Sequence, residues 1–273
     1  MRELKAAKYG FHLIKQNQSE RFNIYPYFRD IEGIESMWLV SPQHGRSYVV
    51  GRNGKRWIIS KGNGLSYTEK PFIYTRETKE DVWGLLLKQD ALRDFNVGSE
   101  ISELGIKTNR MEAIIELDKT VIINTQYNCK PILLQYSVEC PFRISDASFM
   151  SRNLIEYYVG EWEKIDKWKC DKKYKIAANL LISNLRILHD HNILYNALSS
   201  QNLTWALELL DFELACSPHY PYEREDYNRH IPVLFEREVL HTYQIIIDIA
   251  WILREKIDYA YLDSLFAKNS FNF

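Results

Sequence analysis

Between Leu188 and Ala215 the chain reads LHDHNILYNALSSQNLTWALELLDFELA, and two side chains there are set for chemistry. Asn202 closes a polar loop, and Asp211 stands directly before Phe212, with a strand-like pair (LTWAL, ELL) between them. An amide oxygen and a carboxylate are hard donors of the kind that hold a metal ion such as Mg²⁺. Lys61, at the end of another strand-like run, is the matching cation for phosphate. On spacing alone a Lys-Gly pair is weak, and Lys61 then only opens a polar turn through Gly62, Asn63 and Gly64. His189-Asp190-His191 has the composition of a metal site, but at a helix end before the loop a structural role is expected.

The elements that position these residues follow from local signals. SYVV at 47–50 and KRWIIS at 55–60 flank GRNG, and Asn53-Gly54 between apolar runs signals a hairpin. From about Lys79 to Leu104 apolar residues recur at three- and four-residue steps, which predicts a helix that Gly98 interrupts and Gly105 stops. Asp94, Glu100 and Glu103 on that helix are the acids available to pair with Lys61. Strand-like runs follow at AIIEL, TVIIN and PILLQYSVE, with Asn124 to Lys130 as the turn between the last two. Residues 1–40 show no clear period.

Pro141-Phe142-Arg143 marks the passage to a mainly helical region, with amphipathic segments at 149–168 and 173–189. A further helix from about Glu236 to Lys256 carries Asp248 on an otherwise apolar face, where a buried carboxylate needs donors. The pattern predicts an α+β protein of two parts, 1–138 and 139–273, without a flexible linker.

The totals set bounds. Of 273 residues 46% are hydrophobic and 26% charged, the balance of a folded globular chain with ample core. A net charge of −1 gives no general pull toward nucleic acid or an anionic membrane. The four cysteines lack metal spacing and read as buried thiols of a reducing compartment. The charged N-terminus has no apolar run of a signal peptide, and IIIDIAWIL is too short to span a bilayer. The expected location is a cytosol, by synthesis or by delivery into it.

Laid against the protein kinase pattern L-H-x-x-G-I-V-H-R-D-L-x-x-x-N, the stretch keeps Leu188, His189, Ile193, Leu198 and Asn202. Asp211-Phe212-Glu213 stands where D-F-G would, and Tyr195-Asn196-Ala197 where H-R-D would. In that fold the Asn and the Asp hold the magnesium ions bridging the phosphates of ATP. The helix after the loop supplies an Asp that caps the loop backbone, the place Asp248 would take. Four blocks narrow the likeness. ISKGNGLSYT (59–68), LRDFNVGSEISELGIKTNR (92–110), FRISDASF (142–149) and ALSSQNLTWALELLDF resemble, in order, segments of the selenoprotein O family.

Members of that family have a bilobal kinase-like fold and transfer AMP from ATP to protein hydroxyls. The resemblance implies a β-rich N-lobe with one long helix and a helical C-lobe. It implies that Lys61 contacts phosphate within a segment that includes Gly62 and Gly64, and that Asp94 pairs with Lys61. Arg143 matches the second of two phosphate-contacting arginines, and Asn202 and Asp211 match the ligands of Mg²⁺. The chain departs from the family in three ways. Gln135 or Tyr136 stands where the first arginine falls, Gln201 replaces the Asp proposed as base, and the chain is shorter than typical members. The expected partner is a protein substrate. The alternatives are a pseudokinase binding module, a conventional kinase, or transfer of another group such as glutamate.

Overall fold

Among the residues that a computed structural model describes, there are twelve β-strands, most of them in the first half of the chain, and five α-helices. The described residues are 1–17, 22–64, 74–75, 82–123, 127–223 and 229–271. The fold is α+β, as the sequence pattern predicts. Two compact units share the chain: Met1–Ser99 with Asn109–Phe142, and Glu100–Thr108 with Arg143–Phe273.

In the first unit the strands are β1 (Arg2–Lys8), β2 (Phe11–Gln16), β3 (Tyr27–Arg29), β4 (Glu35–Leu39), β5 (Ser47–Asn53) and β6 (Arg56–Lys61). A short pair follows, β7 (Tyr74–Thr75) with β8 (Val82–Trp83), and then β9 (Arg110–Leu117). β10 (Val121–Ile123) pairs with β11 (Tyr127–Cys129), and β12 (Ile132–Val138) closes the set. Eight of these form one antiparallel sheet in the order β2-β9-β12-β6-β5-β4-β1-β3.

That order dictates a curl. β2 lies at one edge and β1 next to the other edge, yet only Tyr9 and Gly10 join them. Three Cα steps reach at most about 11 Å, so the sheet must roll until its two ends nearly meet. The link is held from both sides: Tyr9 N–H donates to Pro26 O at 3.0 Å, and Asp118 N–H donates to Gly10 O at 2.8 Å. Roll and twist together enclose apolar clusters, one around Phe28, Ile115 and Leu133, the other around Met37, Tyr48 and Ile58.

Several local expectations shift. Residues 1–40, aperiodic to inspection, hold four strands with at most two buried apolar positions each, such as Leu4 and Ala6 of β1, and none in β2. The hairpin turn is Gly54-Lys55, one residue beyond Asn53-Gly54, because Asn53 still pairs with Arg56. Gly54 takes the first loop position with φ +57°, a conformation that suits Gly. β11 occupies 127–129, inside the segment expected to be a turn; residues 124–126 lie outside those described.

Helix α1 (Lys88–Glu103) starts later than predicted, since β8 takes Val82 and Trp83; residues 79–81 lie outside those described. Gly98 is buried within it without a break, and Gly105 at φ +81° follows its end.

The second unit holds α2 (Arg152–Glu161), α3 (Lys173–Asp190), α4 (Ile231–Leu253) and α5 (Tyr259–Lys268). It begins at Arg143 and includes Glu100–Thr108, which the sequence reading placed in the first part. The reason is local pairing: Leu209 N–H donates to Lys107 O at 3.0 Å, and Thr108 forms a parallel bridge with Leu209. The predicted helix at 149–168 is α2 followed by a 3₁₀ turn, Trp162–Ile165. Among the described residues no helix is long and apolar enough to cross a membrane.

Candidate functional site

In the first unit β6 delivers Lys61 with its backbone paired to Leu134 on one side and Ser47 on the other. Its Nζ lies 2.9 Å from Asp94 Oδ2 on α1, and the two side chains are only 4% and 1% exposed. Of the three candidate acids Asp94 is the partner. Glu100, within the second unit, instead accepts from Ser217 Oγ at 2.7 Å and lies 2.8 Å from His219 Nδ1. A pair buried this deeply gains little net stability over an apolar pair of the same size, so stability alone does not explain it.

The turn after Lys61 is fixed by its own backbone. Gly62 has φ +102°, and a Cβ there would stand 2.4 Å from Ile132 O. Gly64 has φ +90°. Gly62 N–H donates to Arg46 O at 3.0 Å and Gly64 N–H to Gly84 O at 2.8 Å, so both amides are engaged within the protein. Asn63, fully buried between them, donates to Tyr27 O at 2.6 Å. The Tyr48 hydroxyl donates to Gly64 O at 2.9 Å, and burial pushes its pKa well above that of an ordinary tyrosine. Gly62→Ala should therefore cost about 1–3 kcal/mol from backbone strain and close contact, read as a lower midpoint in urea unfolding.

Gln135, one of the two positions (with Tyr136) where the resemblance places an arginine, is fully buried and bonds both backbone groups of Tyr25. It fastens a chain segment.

In the second unit, a few backbone bonds gather the other candidates. Asn202 O accepts from Leu210 N–H at 2.9 Å, which sets the residue before Asp211 against Asn202. The Tyr195 hydroxyl bonds Leu210 O and also reaches Asn202 O at 3.3 Å. Thr204 turns the hairpin between them: Oγ1 accepts from Ala206 N–H at 3.2 Å and Glu208 N–H at 3.1 Å. Asp211 itself has φ +66°, uncommon for a residue other than Gly and characteristic of positions held by their surroundings. Phe212 anchors it from behind, buried at 5.3 Å from the Tyr195 ring.

Asn202 Nδ2 donates to Ala197 O at 2.9 Å, which leaves the amide oxygen as the atom to offer a cation. An amide oxygen and a carboxylate are hard donors suited to Mg²⁺, which keeps several positions for water and phosphate. The donor set thus fits the metal implied by the resemblance. Arg143 reaches the same loop, its guanidinium donating to Gln201 O at 2.8 Å, and its backbone bridges Thr204. Gln201 is exposed, and Ala197 offers no functional group.

The acid that holds the loop is Glu238, and the expectation for Asp248 is corrected. Asp248 is only half-buried, with Gln244 Nε2 at 2.8 Å from its carboxylate. Glu238 is 1% exposed; it accepts from Asn196 N–H at 2.6 Å and meets His189 Nε2 at 2.9 Å. His189 thus has the structural role expected of it. The signal for Glu238 was present: it shares the buried stripe of α4 with Thr242, Ile245 and Ile249, three- and four-residue steps that pass over Asp248. Asn196 sits at φ +58°, its side chain held by the Tyr222 hydroxyl at 2.9 Å and by Arg237.

Compared with known protein families the chain matches no family model, and no curated protein matches it.

Proposed function

We propose that the chain is a bilobal protein kinase-like domain that uses ATP and Mg²⁺ to modify a protein, by AMP transfer to a Ser, Thr or Tyr hydroxyl, with the α–β phosphoanhydride bond broken and pyrophosphate released. The observation that carries this reading is the bond from Leu210 N–H to Asn202 O, which brackets the amide and the carboxylate on one hairpin. The buried Lys61–Asp94 pair adds to it, because an ammonium fixed by a carboxylate is pre-positioned for phosphate. In this reading Asn202 and Asp211 bind the metal, Lys61 and Arg143 offset phosphate charge, and Gly62 and Gly64 shape the turn after Lys61. The metal would neutralise charge on the phosphates.

Neither Ala197 nor Gln201 can take a proton from the acceptor hydroxyl. A positioned base is worth about 10²–10⁴-fold, whereas nucleotidyl transfer rests mainly on positioning and charge. The loss slows such a site without abolishing it. The same two residues favour a second reading, a nucleotide-gated binding module without chemistry.

Incubation with Mg²⁺ and ATP labelled at the α- or the γ-phosphate tests both. The expected result is protein-bound label from the α position alone, lost in Asp211→Ala. Label from γ alone would make the chain a conventional kinase. Nucleotide binding without label supports the binding module, and absence of ATP binding overturns the proposal.

A further inference from the structure

Beneath the loop from Tyr195 to Leu198 lies a cavity with about 10 Å³ open to the centre of a water molecule. Every residue lining it is buried, and leucines and Ile245 make most of its wall. Four lining residues are polar: Asn184 of α3, Glu238 and Thr242 of α4, and Tyr195. Three of them have partners elsewhere. The Tyr195 hydroxyl bonds Leu210 O, Thr242 Oγ1 donates to Glu238 O at 2.8 Å, and the Glu238 oxygens take Asn196 N–H and His189. Asn184 Nδ2, on a residue 5% exposed, has no hydrogen-bond partner in the protein.

We infer that this cavity binds one structural water, which accepts from Asn184 Nδ2 and donates to the Glu238 carboxylate. The volume fits a single water, which needs roughly 10–15 Å³ on this measure and two to four polar partners. Each carboxylate oxygen can take a second hydrogen bond, so Glu238 has capacity beyond Asn196 and His189. A buried amide donor left without a partner is costly, and the water removes that cost. The water links α3 to the acid that holds Asn196, and so makes Asn184 a positioning residue for the loop. The inference stands apart from the nucleotide reading.

The test is a crystal structure of the full chain, combined with oxygen-17 relaxation to count long-lived waters. The expected result is one ordered water within about 3.2 Å of Asn184 Nδ2 and of Glu238. Asn184→Leu should lose one long-lived water and exchange the Asn196 amide about tenfold faster, the equivalent of one hydrogen bond. Asn184→Ser, with a hydroxyl and more room, should keep both the water and slow exchange. A dry cavity overturns the inference, as does an Asn184 amide turned to bond Thr242 or Glu238 directly. Unchanged Asn196 exchange in Asn184→Leu overturns the positioning role. Should the Leu variant fail to fold, the wild-type measurements decide the site and Asn184→Ala replaces it in the exchange comparison.

Discussion

Asp94→Ala should destabilise the chain by about 3–5 kcal/mol, because it removes a carboxylate 2.9 Å from a buried ammonium. The geometry gives no easy escape. Lys61 is 3% exposed as a residue, its strand is hydrogen-bonded on both sides, and the turn that follows is locked by Gly62 and Gly64. Lys61→Met alone should cost a similar amount by taking the ammonium from a buried carboxylate. The double variant Lys61→Met/Asp94→Leu should recover most of the loss, since apolar pairs often replace buried ion pairs at little cost. Urea unfolding of the four proteins forms a double-mutant cycle that reads the coupling directly. A stable double variant that no longer binds ATP would show that the pair is retained for the nucleotide. A double variant as unstable as the singles would instead make the pair a structural necessity.

The sequence made some of this legible and hid the rest, for physical reasons. Asn202 and Asp211 could be read because their placement depends on a local hairpin, whose strand-like residues and apolar flanks lie within one short stretch. Lys61 could be read as a strand end, but its partner could not be singled out. Asp94, Glu100 and Glu103 share one helix, and only the three-dimensional contacts turn Asp94 to Lys61 while Glu100 meets Ser217 and His219. The rolled sheet was opaque for the same reason. β1 and β2 are neighbours in sequence yet belong at opposite ends of the strand order, and nothing in a two-residue link announces this. The steps from Glu238 through Thr242 to Ile249 mark a buried face, and Asp248, though it interrupts an apolar run, lies off that face.

Glu238→Ala should destabilise the second unit by roughly 1.5–3 kcal/mol, since it removes a buried carboxylate that holds two half-buried partners. One is the Asn196 N–H, on a residue at positive φ that needs its surroundings to hold it. The other is His189, whose ring centroid lies 4.3 Å from that of Phe235 and 5.6 Å from that of Phe271. Glu238→Gln separates charge from hydrogen bonding. Its amide oxygen can still accept from Asn196, and its NH₂ can donate to His189 once the ring presents an Nε2 lone pair. Gln should therefore keep most of the stability that Ala loses, and hydrogen exchange at Asn196 should remain slow. Glu238→Asp, one methylene shorter, keeps the charge but gives up reach, and should fall between them with fast exchange at Asn196. If Asp instead outperforms Gln, the carboxylate charge matters more to the loop than hydrogen-bond reach. The order of the three variants thus decides what holds the chain between Tyr195 and Asp211. The proposed metal ligands inherit their geometry from that stretch, because Tyr195 bonds the carbonyl of Leu210 and Asn202 holds its amide.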